Sequence, residues 1–253
     1  MVRNGAFRVR KSNYYFLSIA ATDPTGEAGL LKDIKVASYL GYNTIGAVTA
    51  LTVQNDSGVL ANYPVETEIL KQQLDIASTY PVNSLKIGSL GGVENAFTIA
   101  DYLSRFKNAY VVWDPVFAPS AGNAFINKES IKSITQKILP FVDVLTPNFI
   151  ELQQILGMEG YPLEEIVLAA QELVKEYKSS LYLTGGHLPE KEGGFNECYI
   201  NEEGIEIIKR KKVDLVYTHG TGCTFSSALA CMRYESEFER CRAASDFVLS
   251  AYR

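Results

Sequence analysis

Short apolar runs of strand length alternate along the chain with longer stretches whose apolar residues recur at helical spacing. Tyr15–Ala20 reads as a strand. Gly29–Leu40 reads as a helix, because Leu30, Ile34, Ala37 and Leu40 share a face and Gly41 stops it. Thr44–Val53 reads as the next strand, and Thr67–Ser78 as a helix ending before Pro81. Ser84–Ile87 and Ala109–Val112 read as short buried strands on either side of a helix over Val93–Phe106. Lys128–Ile138 is helical up to Pro140, then come a strand at Val142–Leu145, helices at Ile150–Leu156 and Leu163–Tyr177, and a strand at Leu181–Leu183. Cys198–Ile200 and Ile205–Ile208, joined through Asn201–Gly204, read as a hairpin. Gly222–Arg233 and Glu237–Tyr252 close the chain as helices.

Strand alternating with helix predicts an α/β fold of three layers, a mostly parallel sheet covered on both faces. No internal repeat or linker interrupts it, so residues 14–253 read as a single domain. Residues 1–13 carry Arg3, Arg8, Arg10 and Lys11 without an acid and read as a flexible extension. A signal peptide would need a cleavage site after Tyr14–Ala21, where Asp23 and Pro24 follow instead. No apolar run reaches the ~18–20 residues of a membrane span. The net charge of −5 offers no basic face to nucleic acid, so a phosphorylated ligand has to be held by a local device. Four cysteines without a CxxC pair read as reduced thiols and point to the cytoplasm. His187 and His219 are too few for a His-rich zinc site.

In parallel sheets, ligands bind beyond the carboxyl ends of the strands, so the strand-to-helix junctions are where chemistry is sought. Ala21–Gly29 (ATDPTGEAG) is rich in turn formers, and Ala28 and Gly29 let backbone approach a ligand. A simple turn with Thr or Asp capping the helix explains it equally well. Asp33 lies one turn further on, where an acid also suits the helix dipole from a surface position. Gln54, Asn55 and Asp56 end the second strand; the amide of Gln54 could read a heteroaromatic ring, or form a turn. Asp114 ends one buried strand. Asn148 and Glu151 follow another in a capping-box-like spacing, and Asp114 and Glu151 could alternatively hold hydrated Mg²⁺. Thr184, Gly185, Gly186 and His187 form a further turn open to phosphate.

The strongest junction is Thr218–Thr224 (THGTGCT), directly before an apolar helix. Gly220, Thr221 and Gly222 place backbone N–H groups at a helix N-terminus, an anion-binding arrangement. Cys223 at that terminus is expected to have a depressed thiol pKa and to act as a base toward a substrate hydroxyl. The alternative is a small buried cysteine, a reading that suits Cys231 and Cys241. There is no GxxxxGK[ST] P-loop and no GxGxxG after the first strand.

These residues together resemble the ribokinase-like kinases, and within them the hydroxymethylpyrimidine/phosphomethylpyrimidine kinases of thiamine biosynthesis. The resemblance runs from Phe16 to Ala251. It rests on DPTG with Ala28, Gly29 and Asp33; on Gln54; on Lys86-Ile87-Gly88; on Asp114-Pro115-Val116 with Ser120 and Gly122; on Thr146-Pro147-Asn148 with Glu151; and most specifically on His219-Gly220-Thr221-Gly222-Cys223. It implies ATP- and Mg²⁺-dependent phosphorylation of a hydroxymethyl group and then of the resulting monophosphate, and a homodimer. Cys223 would be the base of the first step and Gly220–Gly222 the anion hole. Asp33 and Gln54, with Ala28 and Gly29, would orient the pyrimidine. Asn148, Thr184 and Gly186 would meet the nucleotide, and Asp114 and Glu151 the metal. The chain departs from the family pattern at Thr184 and Ser245, both usually Lys, and at Glu27, usually Gly, which is expected to add negative charge near the substrate. Lys209–Lys212 reads as a solvated hairpin face. Pyridoxal as acceptor, or pyrimidine binding with weak turnover, are the alternative functions.

Overall fold

The structure, a computed structural model, describes residues 12–55, 58–118, 124–184, 194–211 and 219–253. Its nine described strands form one sheet: β1 (Tyr15–Thr22), β2 (Asn43–Asn55), β3 (Gly58–Pro64), β4 (Val82–Ile87), β5 (Tyr110–Trp113), β6 (Val144–Leu145), β7 (Ser180–Leu183), β8 (Gly194–Ile200) and β9 (Ile205–Lys211). Their order is β3-β2-β1-β4-β5-β6-β7-β8-β9. The six strands from β2 to β7 are parallel, and antiparallel strands close both edges. The expected α/β architecture is therefore present.

Alternation along the strands builds two apolar cores. Phe16, Val112, Val144, Tyr182 and Tyr199 point to one face, where α1 (Gly29–Tyr39), α7 (Thr221–Cys231) and α8 (Glu237–Ala251) cover them. Leu17, Ile19, Trp113, Leu145, Leu181 and Leu183 point to the other. There α2 (Thr67–Ala77), α3 (Val93–Leu103), α4 (Lys128–Ile138), α5 (Phe149–Leu156) and α6 (Leu163–Tyr177) lie. β3 was not expected from the sequence. It pairs with β2 as an exposed ribbon, with Leu51, Val53 and Tyr63 open to solvent, so no buried face imposes a strand pattern on it.

The chain passes from β1 outward to β2, then returns to β4 on β1's other side. Strand order reverses at β1/β4, and the crevice beyond their carboxyl ends is where such sheets bind ligands. The loop before α1, the end of β4 and the start of α7 meet there. No helix among the described residues is long and apolar enough to cross a membrane. The proposed extension at 1–13 lies outside the described residues except for Ser12 and Asn13.

Candidate active site

The floor of the crevice is a buried ion network. Lys86, on β4, is fully buried, and its ammonium lies 2.9 and 3.0 Å from the two oxygens of Asp33 on α1. Ser18 donates to Asp33 at 2.6 Å and Ser227, on α7, at 2.8 Å. Asp114, at the end of β5, lies 3.7 Å from the Lys86 ammonium and accepts from Ser226 at 3.0 Å. Desolvation opposes the charge on Lys86, but the negative charges of Asp33, Cys223 and Asp114 together outweigh it and hold the ammonium above its ordinary range. Asp114 is held up by burial, partly offset by Lys86. Asp33 therefore neither lies on the surface nor presents an oxygen to a ring. Full burial and three partners make it the anchor of Lys86.

Above this floor stands the first turn of α7. Gly220 adopts φ +79° at the helix N-cap, with no side chain capping the turn. A Cβ there would run into the carbonyl of Glu27, so only glycine lets the two loops close on each other. Cys223 follows, half-buried. Its expected low pKa does not hold: burial pushes the thiol up to about 12, against the pull of Lys86 and of the Gly29 backbone hydrogen bond. The helix start does not make a resting thiolate where carboxylates of Asp114 and Asp33 stand nearby.

The first loop is organised by Asp23, almost wholly buried. Its carboxylate accepts from the N–H and hydroxyl of Thr25 at 2.9 and 2.8 Å and from the N–H of Ala28 at 2.8 Å. His219 Nε2 lies 3.3 Å away. Burial alone would raise the Asp23 pKa, but bonds from Gln54, Thr25 and His219 outweigh it and lower it. Two expectations change. Ala28 gives α1 no side-chain cap, and its N–H is engaged by Asp23, while that of Gly29 serves Cys223. These two residues thus shape the loop rather than offer free donors. Gly29, at φ +57°, is also needed because a Cβ would strike the Ala21 carbonyl. Gln54 is a strand residue, not a turn, and its amide ties the β2–β3 ribbon to Asp23.

Glu27 is held by the lysines of α1. Its carboxylate pairs with Lys32 at 2.8 Å and lies 3.8 Å from Lys35, so the expected added charge near the substrate is neutralised. Lys32 also lies 5.5 Å from the Tyr252 ring centroid, and Tyr252 bonds Thr224 at 2.9 Å.

On the far side, Asn148 and Glu151 form the reciprocal capping box of α5, at 3.0 and 2.8 Å. Burial, with the nearby Asp114 charge, pushes Glu151 up to about 8. Two carboxylates that raise the local negative field without a protein cation beside Glu151 fit a hydrated divalent ion. Among the described residues no group of three or more metal-ligating side chains converges. One or two carboxylates are what a hydrated Mg²⁺ takes from a protein, water and ligand oxygens completing its shell. Thr184 ends β7 and donates its N–H to Pro147 at 3.2 Å. Gly185, Gly186 and His187, and Ser120 and Gly122, lie outside the described residues.

The solvated reading of the basic run does not hold for Arg210. Its Nε lies 2.7 Å from the buried carboxylate of Glu197, which Tyr182 and Ser245 also hold. Arg210 is engaged by Glu197 and Asp246, so it offers no free charge in place of the lysine expected at Ser245. Lys86, Ser18, Ser226 and Ser227 receive no role from the sequence. The available signal was the lysine inside the apolar run Ser84–Ile87, since a buried lysine requires a carboxylate partner.

The sequence profile of phosphomethylpyrimidine kinases matches residues 23–253. The chain belongs to the phosphomethylpyrimidine kinase family. As a member of this family it is a phosphotransferase. It is 30% identical over 239 residues to a hydroxymethylpyrimidine/phosphomethylpyrimidine kinase of Aquifex aeolicus, covering 93% of this chain and 92% of that one. It is 32% identical over 219 residues to the protein of that name in Salmonella typhimurium, covering 86% and 82%. A phosphomethylpyrimidine kinase structure from Clostridium difficile superposes with TM-score 0.78 at 25% identity, covering 95% and 100%. The pyridoxal kinase of Staphylococcus aureus in complex with ADP shares the fold, with TM-score 0.84 at 22% identity over 96% and 89%.

Proposed function

We propose that this phosphomethylpyrimidine kinase family member phosphorylates hydroxymethylpyrimidine and then its monophosphate, with ATP as donor. The observation that carries the reading is the meeting of an uncapped, glycine-opened helix start with Cys223 and the buried Lys86. In the first step the substrate hydroxyl oxygen attacks the γ-phosphorus, the bond to the β-phosphate oxygen breaks, and the hydroxyl proton passes to Cys223 Sγ in the small fraction of molecules whose thiol has first lost its proton to solvent. The backbone of the Gly220–Gly222 turn stabilises charge on the moving phosphoryl group. Lys86 lowers the cost of the thiolate, and Asp33 fixes Lys86 there. Gln54 keeps one half of its amide for the pyrimidine edge while the other meets Asp23. Thr184, Asn148 and Gly186 flank the nucleotide. Asp114 and Glu151 would hold Mg²⁺, which would neutralise the nucleotide phosphates.

We read residues 14–253 as one kinase domain working in the cytoplasm, in keeping with four free cysteines. A homodimer is what the family resemblance implies. The test of the mechanism is Cys223→Ala. Base removal lowers the first step by ~10²–10⁴-fold. The second step suffers less, because its acceptor is already anionic. Equal losses in both steps would contradict the base role.

A further inference from the structure

A second cavity, of about 380 Å³, opens at the opposite end of the sheet, beside the first residues of β1, β4 and β5 and the end of α7. Two arginines and no acid line it, in a chain of net charge −5. Arg240 is half-buried, and its Nε and Nη1 are buried without a hydrogen-bond partner. Its guanidinium lies 3.9 Å from the Tyr110 ring centroid, which holds it in place. The nearby acids are engaged elsewhere: Glu237 accepts from Tyr110 and Tyr199, and Asp143 from the N–H of Val111. Arg233 lies over Tyr14 at 4.1 Å and donates to Tyr42 at 3.3 Å. Neither arginine forms an ion pair with a carboxylate among the described residues. Asn83 accepts from the N–H of Tyr15 through Oδ1, which leaves its Nδ2 as a donor at the cavity, beside Ser84.

A buried guanidinium lacking acceptors carries a desolvation cost that a matching anion removes. The anion suited to two planar guanidinium groups with neutral donors between them is a tetrahedral oxyanion. We propose that this basal cavity is a second ligand site, for a phosphate dianion, either free or carried by a small organic molecule. The cavity is large enough for a phosphate together with a short organic group, and it shares no residue with the crevice at the other end of the sheet.

Calorimetry tests it on the full chain with the active site filled by pyrimidine substrate and a non-hydrolysable ATP analogue with Mg²⁺. Inorganic phosphate then binds at one further site per chain. Arg240→Gln and the exposed Arg233→Gln each weaken it tenfold or more and leave turnover unchanged. Arg233 is exposed, so its variant reads the site even if Arg240→Gln does not fold. A parallel titration with glycerol 3-phosphate distinguishes the source. Tighter binding than inorganic phosphate assigns the site to an organic monophosphate, and the reverse order assigns it to the free ion. No saturable phosphate binding to the filled wild-type enzyme, or unchanged affinity in both folded variants, overturns the proposal.

Discussion

Lys86 carries the most consequential single charge in the protein. It sits on a strand with no solvent access, and two carboxylates and a thiol depend on its field. Lys86→Met leaves Asp33 buried without its cation, and breaking such a pair typically costs about 3–5 kcal/mol. Denaturant unfolding checks this. Adding Asp33→Asn to that variant should return part of the loss, because the remaining group is no longer ionised. Glu151 offers a different test. Its pKa of about 8 means that the cation-free carboxyl is mostly protonated at neutral pH. A divalent ion has to displace that proton, so Mg²⁺ affinity should rise as pH climbs from about 6 to 8 and level off above. Glu151→Gln should abolish that rise. A pH-independent Mg²⁺ affinity in the wild type would place the ion elsewhere. The Cys223 thiol titrates higher still, about 12. If it is the base, kcat/KM for the hydroxymethyl compound rises about tenfold per pH unit between about pH 9.5 and 10.5, above the Glu151 transition. The monophosphate step should stay flat over that interval.

The elements deliver these groups by ends rather than by faces. α1 brings Asp33, β4 brings Lys86, and α7 brings Cys223 and both serines, and all converge where strand order reverses. Gly220 stands against the Glu27 carbonyl with no room for a Cβ. Gly220→Ala puts a side chain into φ +79° and into that carbonyl, so the first loop has to move off the helix start. Strain at such a backbone position is of order 1–3 kcal/mol. Thermal unfolding should show the loss, and phosphoryl transfer should fall well beyond what reduced stability explains. Wild-type turnover in Gly220→Ala would mean that the close approach has no part in catalysis. The order and type of nearly every described element can be read from hydrophobic period alone, because each faces a buried layer on one or both sides. The ribbon strand β3 cannot, since its apolar residues face water. Asp33 shows a second limit. A lone acid one turn into a helix has the same pattern whether it faces solvent or a buried lysine 53 positions away. Arg210 shows the same in a basic run, where only Glu197 across the hairpin turns it inward. The Gly220–Cys223 junction was readable as a site from its residue types. The state of its thiol was not, because burial and the surrounding carboxylates are set by residues far apart in sequence.

The whole molecule presents one crevice whose chemistry, membership and fold agree on a kinase, and a Thr184 and Ser245 that depart from the family pattern. Ser245 and Arg210 both bind Glu197, and Arg210 also pairs with Asp246, so no free cation stands in for the lysine. Glu27 is neutralised by Lys32. Only the Glu27 departure is compensated within the fold; Thr184 and Ser245 each leave out a cation, while the Gly220–Cys223 junction is intact, which predicts working turnover rather than a silent binding protein. The direct measurement is steady-state ATP turnover with hydroxymethylpyrimidine, its monophosphate and pyridoxal as acceptors, beside calorimetric binding of each. Both pyrimidines should be phosphorylated, with kcat/KM at least tenfold above that for pyridoxal. Binding of the pyrimidines without ATP turnover, or a preference for pyridoxal, would contradict the account.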